Sequence, residues 1–140
     1  MFDNGHWKFV EQMGLEPKIG FLYVIKDNYM QKLYLGKKFY RGHGKLNKGK
    51  ESNWRTYTSS SKFLKEIFKE RPKDEFEFIC IEEYVTKGTL AYAETWTLCH
   101  VDAPFSDVWY NYLIGKIFWK LHEPLTKRHM TRLRWAMEFV

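Results

Sequence analysis

The stretch Lys18–Gly36, KIGFLYVIKDNYMQKLYLG, constrains the fold of this chain more than any other segment. Two short runs within it, Phe21–Ile25 and Lys32–Leu35, are rich in the aromatic and β-branched residues that favour strands. The polar residues Lys26–Asn28 between the two runs predict a turn. The segment is therefore expected to form a β-hairpin, around which the rest of the chain is organised.

Two tyrosines, Tyr23 and Tyr34, lie on the two predicted strands, and Gly36 follows the second strand directly. Side chains alternate between the faces of a strand, so a modest register places both hydroxyls on one face of the hairpin. A glycine has no side chain, and another group can therefore approach its backbone closely. The hairpin thus carries a candidate site made of two phenols beside Gly36.

The segments around the hairpin predict several helices and one further strand. Apolar spacing predicts a short helix within Phe2–Met13, and the serines before Lys62 offer N-caps for a helix over Lys62–Glu70. Alternation in Glu75–Tyr84 predicts a buried third strand, and the apolar residues after Thr89 predict a helix that ends before Pro104. The final segment, from residue 116 to residue 140, is expected to form two helical pieces divided by a proline.

These elements predict an α+β fold, with a small central antiparallel three-stranded sheet flanked by helices and with extra N- and C-terminal helical segments. We expect residues 1–19 to form an N-terminal helical extension and residues 20–112 to form one domain. Residues 113–140 are expected to form a basic helical tail packed on or beside that domain. A chain of 140 residues is about the size of one domain.

The net charge of +6 and the pI near 9.2 favour an anionic partner, most commonly nucleic acid. The basic residues are clustered in the predicted loop Lys37–Asn53 and near the C-terminus, although a merely solvated surface is an alternative interpretation. A structureless loop of that length is uncommon unless it is functional. The clusters comprise Lys37, Lys38, Arg41, Lys45, Lys48 and Lys50, and then Lys127, Arg128, Arg132 and Arg134.

The sequence contains no apolar run long enough for a membrane span and no apolar signal core at its N-terminus, so we expect no membrane partner and a cytoplasmic location. The two cysteines, Cys80 and Cys99, lie among apolar neighbours, where a thiol behaves as a small hydrophobic group. The chain has no CxxC pair and its histidines are scattered, which argues against a structural zinc site.

The hairpin motifs resemble the signature of the GIY-YIG nucleases, with Leu22-Tyr23 in the first half and Tyr34-Leu35-Gly36 in the second. Phe21 stands where the family has its first glycine, and Gly20 lies one residue earlier. The order of the later elements is similar too, over about residues 20–112, and is most like that of phage-type homing endonucleases. The matching motifs are Ser59-Ser60-Ser61-Lys62, Phe76-Glu77, Ile81-Glu82-Glu83, Glu94 before Trp96, and Tyr110-Asn111.

The resemblance implies a metal-dependent endonuclease that acts on DNA, most simply double-stranded DNA. It assigns one Mg²⁺ (or Mn²⁺) to Glu94, proton transfer from the attacking water to Tyr23, and positioning of that water to Tyr34. Asn111 would orient the catalytic turn, and His43 could protonate the leaving oxygen. If the chain is phage-encoded, the cytoplasm is that of a bacterial host.

The catalytic arginine of the family normally lies about ten residues after the second tyrosine, where this chain has Gly44. Arg41 or Arg55 must therefore supply the guanidinium that pairs with the scissile phosphate. The candidate DNA contacts are Lys37, Lys38, Lys45, Lys48, Arg55, Arg128 and Arg132.

Two other functions remain open on the sequence. One is a nucleic-acid-binding protein that keeps the fold but has impaired catalysis, because the arginine is displaced and the first glycine is altered. The other is a small interaction protein whose aromatic surface docks a protein partner. The oligomeric state is unknown from the sequence.

Overall fold

The computed structural model describes residues 3–9, 17–42, 46, 48–111, 114, 123 and 125–138. The strands in this part of the chain are β1 (Trp7–Phe9), β2 (Gly20–Asp27), β3 (Lys32–Phe39) and β4 (Phe76–Tyr84). The helices are α1 (Lys62–Glu70), α2 (Lys87–His100) and α3 (Arg128–Ala136). The α+β class predicted from the sequence is confirmed.

The predicted three-stranded antiparallel sheet is wrong in one respect, because the described sheet has four strands in the order β1-β4-β2-β3. The added strand, β1, pairs in parallel with β4, whereas β2 pairs antiparallel with both β4 and β3. Trp7–Phe9 therefore does not belong to the predicted N-terminal helix. The side chain of Trp7 is buried and that of Lys8 is exposed, which is the two-residue alternation of a strand with one face in the core. Residues 10–13 of that predicted helix lie outside the described residues.

The predicted hairpin is confirmed, and both of its strands are longer than predicted. Tyr23 is paired with Gly36, and Ile25 with Tyr34. Because β3 continues to Phe39, the three residues after Gly36 belong to the strand and not to the predicted loop. The described ends of that loop also approach each other, since Arg41 forms an isolated bridge with Glu51.

The two faces of the sheet carry two separate hydrophobic cores. One core contains Phe21, Tyr23 and Ile25 of β2 and is covered by Trp54 and by Leu64 of α1. The other contains Leu22, Leu35, Leu90, Leu98, Ala103 and Ile114, so that α2 covers the opposite face. Alternate residues of β2 and β3 therefore point into chemically distinct surroundings.

A β-bulge interrupts the pairing of β2 with β4. Leu22 is opposite Glu82 and Tyr23 is opposite Cys80, so Ile81 is the extra residue on β4. A bulge adds local twist and re-aims the side chains beside it. The irregularity lies at the position of the first tyrosine of the candidate site.

Local sequence explains where the helices begin. The Ser61 side chain accepts a hydrogen bond from the Leu64 N–H at 3.3 Å, which caps α1 at the predicted position. The Phe68 ring of α1 packs against Phe76 with ring centroids 4.6 Å apart, and this contact holds the helix on the first core. Thr86 caps α2 in the same way as Ser61 caps α1, so α2 begins two residues before the predicted start.

Candidate active site

The hairpin, together with the segment before α1, forms a group of aromatic side chains that we call the tyrosine cluster: Tyr23, Tyr34 and Tyr57. The Tyr23 and Tyr34 rings lie on the same face, with centroids 6.4 Å apart. The Tyr57 ring is edge-on to Tyr23 at 6.1 Å. The sequence prediction that the two hairpin tyrosines share one face is confirmed by this register.

The Tyr23 ring lies directly over the backbone of Gly36 on the edge strand β3. A Cβ at Gly36 would collide with the hydroxyl and ring atoms of Tyr23. A residue with any side chain would therefore push the phenol out of its position. This contact explains why a glycine follows the second tyrosine of the motif.

Tyr23 is almost fully buried, with 1% of its surface exposed. Burial raises the pKa of its hydroxyl well above 10, and Tyr34, Tyr57 and Glu94 add to that rise. A hydrogen bond with Ser59 offsets part of it. The Tyr23 hydroxyl is therefore protonated at neutral pH in the free protein.

Ser59 contacts the Tyr23 hydroxyl, whereas the sequence interpretation treated it only as part of a helix cap. It is buried, and its backbone has a φ of 101°, a conformation that side chains other than glycine rarely adopt. Its hydroxyl also accepts a hydrogen bond from the Ser61 N–H at 2.9 Å. The run of three serines thus links the helix cap to the Tyr23 hydroxyl.

Lys38 lies on the same face of β3 as Tyr34 and Gly36, because these residues alternate along the strand. Its ammonium group is 4.0 Å from the centroid of the Tyr57 ring, which is a cation–π contact. Burial lowers the pKa of this lysine. Sequence analysis placed Lys38 in a loop as a general DNA contact, whereas the strand fixes it beside the tyrosine cluster.

Glu94 lies on α2 between the core residues Leu90 and Leu98 and approaches β3 from the other face of the sheet. Its carboxylate accepts a hydrogen bond from the Lys37 ammonium at 3.1 Å, in a partly buried ion pair. β3 is the outermost strand of the described sheet, so groups on its two faces can approach each other around its edge. Glu94 is near enough to the cluster to contribute to the raised pKa of Tyr23.

The Asn111 side chain is buried against the edge of β3. Its oxygen accepts a hydrogen bond from the Leu35 N–H and its amide nitrogen donates one to the Leu35 C=O, both at 2.8 Å. Trp109 forms a parallel bridge with Leu33 on the same edge. Asn111 therefore holds the backbone between Tyr34 and Gly36, a position compatible with the orienting role predicted for it.

The two candidate arginines are held by groups outside the tyrosine cluster. Arg41 donates a hydrogen bond to the Gly49 carbonyl at 2.8 Å. Arg55 forms an ion pair with Glu51, donates to the Asp3 carbonyl at 3.0 Å, and stacks over Trp54 at 4.5 Å. The structure thus brings together Tyr23, Tyr34, Asn111 and Glu94 and leaves both guanidinium groups elsewhere.

The other predicted contacts are dispersed. His43 and Lys45 lie outside the described residues, and Lys48 forms an isolated bridge with Gly42 on the exposed loop. Arg128 and Arg132 lie on α3, whose residues are all exposed. Lys127, immediately before α3, forms an ion pair with Asp102 at 2.9 Å. These positions stay predictions as DNA contacts.

A buried ionic network that the sequence interpretation missed supports the hairpin turn. Asp27 is 1% exposed and receives two hydrogen bonds from Arg71, both at 2.7 Å, and one from the Tyr110 hydroxyl at 2.6 Å. Burial alone raises the pKa of Asp27, but the hydrogen bonds from Arg71, the Met30 N–H and Tyr110 outweigh it and lower the pKa to about 2. The network ties the hairpin to the end of α1 and to the segment that carries Asn111.

Glu94 is the candidate ligand for a divalent cation that keeps most of its water ligands. Within the described residues, no group of three or more His, Cys, Asp or Glu side chains could hold a metal ion. Glu94 is a partly exposed carboxylate on a rigid helix, and Mg²⁺ is commonly bound by one or two carboxylates together with water and phosphate oxygens. Glu94 fits such a site if the Lys37 ammonium gives way.

A mixed sheet whose hairpin presents two tyrosines beside a glycine, with a helical glutamate and an asparagine at its edge, is typical of the GIY-YIG nucleases. A family model matches residues 6–114, so the chain belongs to this superfamily and, within it, to the family described as "Putative endonuclease segE, GIY-YIG domain". The match includes β1, which the sequence interpretation had placed outside the domain. No curated protein and no solved structure matches the chain significantly. None of the helices in the described residues is long and apolar enough to span a membrane.

Proposed function

We propose that this protein is a metal-dependent endonuclease that hydrolyses phosphodiester bonds of DNA. The observation that carries the proposal is the packing of the Tyr23 phenol across Gly36, beside Tyr34, in a chain of an endonuclease family. Glu94 on α2 adds a carboxylate to this group of residues from the other face of the edge strand.

In the proposed reaction, the oxygen of a water molecule forms a bond with phosphorus while the bond to the leaving sugar oxygen breaks. The Tyr23 oxygen accepts a proton from the attacking water. Because Tyr23 is itself protonated in the free protein, its own proton passes to solvent as the new one arrives, and the leaving sugar oxygen takes a proton from solvent. Tyr34, on the same face, holds the water in line with the leaving oxygen, since alignment of this kind accounts for much of the rate in phosphoryl transfer.

Glu94 would hold the cation, and Lys37 would release it. A bound Mg²⁺ supplies positive charge to the phosphate oxygens and makes coordinated water more acidic. The Lys37 ammonium now pairs with Glu94 at 3.1 Å, so the carboxylate is already oriented toward a cation. Once displaced, Lys37 is free to contact a neighbouring phosphate of the DNA.

DNA affinity would come mainly from contacts to the phosphate backbone. The candidate contacts are Lys37, Lys38, Lys48, Arg55, Arg128 and Arg132, together with Lys45. Such contacts give affinity with little sequence information and make binding fall steeply with salt. A nicking or weakly specific activity fits this arrangement, and we propose a cytoplasmic location for it.

A second candidate function is a catalytically impaired protein that binds nucleic acid with the same fold. The observation that favours it is the position of Arg41 and Arg55, because both guanidinium groups are held by partners away from Tyr23. In that case the basic surface would bind DNA without cleaving it.

Incubation of supercoiled plasmid with the purified protein distinguishes the two functions. The nuclease predicts nicked or linear product with Mg²⁺ or Mn²⁺ and none with EDTA. The impaired protein predicts salt-sensitive DNA binding without product under any of these conditions. Absence of both cleavage and salt-sensitive binding would contradict both functions and favour a protein-docking role.

A further inference from the structure

Lys38 is held at the tyrosine cluster without an acidic partner. Its ammonium lies over the Tyr57 ring at 4.0 Å, on the face of β3 that carries Tyr34. In the described part of the chain, no carboxylate forms an ion pair with it. A partly buried cation without an anion costs free energy, because its hydration is lost and no opposite charge replaces it.

Three other basic side chains at or beside the hairpin already have hydrogen-bonding or acidic partners. Lys37, the next residue on β3, faces α2 and pairs with Glu94. Arg55 pairs with Glu51 and Asp3, and Arg41 donates to a backbone carbonyl of its own loop. Among these residues, Lys38 alone combines a place at the tyrosine cluster with an uncompensated charge.

We propose that the Lys38 ammonium is the cation that contacts the scissile phosphate in this chain. It would perform the task for which the sequence offered Arg41 or Arg55. The proposal rests on the nuclease function proposed above and deepens it, since it assigns the phosphate contact to a strand residue.

The contact with Tyr57 makes this role physically accessible. A cation–π contact is weaker than the attraction between an ammonium and a fully charged phosphate oxygen, so such an oxygen can draw the Lys38 ammonium away from the ring. The negative charge of the non-bridging oxygens rises as water attacks and the leaving oxygen departs. A positive group placed there in a site with little water stabilises that charge more than it would in bulk solvent.

A packing role would not require the charge. The aliphatic part of a lysine can cover an aromatic ring, and an unbranched methionine covers it equally well. Lys38→Met therefore keeps the approximate shape at Tyr57 and removes only the ammonium. Lys69, an exposed residue of α1 that pairs only with Glu66, provides the matched control Lys69→Met.

The test measures single-turnover plasmid cleavage with Mg²⁺ and, separately, DNA affinity in EDTA. Lys38→Met is expected to slow cleavage about 100-fold or more, the loss typical for one stabilising contact to the transition state. Its DNA affinity should change by less than about threefold, because many other cations contact the backbone. Lys69→Met should cleave and bind like the parent.

Chemical restoration of the amine distinguishes an effect of the lost charge from an effect of a disturbed fold. Lys38→Cys is made in a Cys99→Ser background and treated with 2-bromoethylamine, which rebuilds a lysine-like side chain at position 38. The remaining thiol, Cys80, is buried and burial raises its pKa to about 12, so it should not react. The treated protein is expected to regain most of the lost cleavage rate.

Four outcomes would overturn the assignment while leaving the nuclease function in place. The first is parent-like cleavage by Lys38→Met, and the second is a loss of its cleavage rate that weaker DNA binding fully explains. The third is no recovery of the cleavage rate after aminoethylation of Lys38→Cys. The fourth is loss of cleavage in Arg41→Lys or Arg55→Lys while Lys38→Met still cleaves DNA. A parent protein that binds DNA but never cuts it would overturn the nuclease function, and this assignment with it.

Discussion

The phenol ring of Tyr23 crosses from β2 to cover the backbone of Gly36 on the edge strand, and no Cβ fits between them. This contact places a hydroxyl beside the outermost strand of the described sheet. It also makes Gly36, the second glycine of the motif, a packing requirement.

Gly36→Ala should displace the Tyr23 ring, because the added methyl collides with it. The cost of overpacking predicts a loss of about 1–3 kcal/mol in the free energy of unfolding, together with a large loss of cleavage. Chemical denaturation and plasmid nicking measure the two effects. Gly88→Ala is the control, since nothing lies within 4 Å of its Cβ position at the start of α2, and it should not destabilise the protein. A stable, active Gly36→Ala variant would contradict the packing argument.

Glu94→Gln is expected to abolish cleavage and leave the fold intact. The change keeps the size of the side chain but removes the charge that would hold the cation and that now binds Lys37. Circular dichroism should match the parent, and nicking assays over a range of Mg²⁺ concentrations should show no recovery. Cleavage at the parent rate would mean that Glu94 does not bind the metal.

Tyr23→Phe should cost more activity than Tyr34→Phe, because only the first is assigned proton transfer. That role is typically worth about 10²- to 10⁴-fold in rate. Both variants keep their rings and should bind DNA like the parent in EDTA. Small and equal losses in the two cleavage rates would point to packing roles for both tyrosines.

Asp27→Asn should be strongly destabilising, because it leaves Arg71 without its buried partner. Removing one partner of a buried ion pair typically costs about 3–5 kcal/mol, which denaturant melts can resolve. Tyr110→Phe removes one hydrogen bond to the same carboxylate and should cost less. Equal stability of Asp27→Asn and the parent would show that the network contributes little.

The same carboxylate predicts an acid dependence. The pKa of Asp27 is lowered from 3.8 to about 2 in the folded protein, so its stabilisation is present above pH 3.8. That contribution should be lost as the pH falls through about 2. Melting temperatures of the parent and Asp27→Asn should therefore converge in strong acid, and a constant difference between them would argue against this titration.

Glu83→Gln should stabilise the protein at neutral pH. Both carboxylate oxygens of Glu83 are buried, and burial raises the pKa of this side chain above 4.5 although the Tyr40 hydroxyl and Lys18 act to lower it. The unfolded chain therefore ionises first as the pH rises, and the parent loses stability above about pH 4.5. The melting temperature of Glu83→Gln should exceed that of the parent at pH 7, and the difference should shrink toward pH 4.

Local sequence determined the hairpin, the first two helices and the tyrosine pair. Alternation in β2, the cap at Ser61 and the glycine after Tyr34 are short-range signals, and each acts within a few residues of its effect. The same holds for Glu94, whose place on α2 follows from helical spacing.

Only the tertiary structure decided the partners of these residues. β1 is too short to be predicted from its own sequence pattern. It forms a strand because it pairs with β4, which is distant in sequence. The partners of two adjacent lysines also depend on tertiary structure. Lys37 pairs with Glu94 and Lys38 contacts Tyr57, because neighbouring residues of a strand face opposite sides of the sheet. Pairing and burial depend on segments far apart in the chain, so composition indicated a basic surface but could not show which cation lies beside Tyr23.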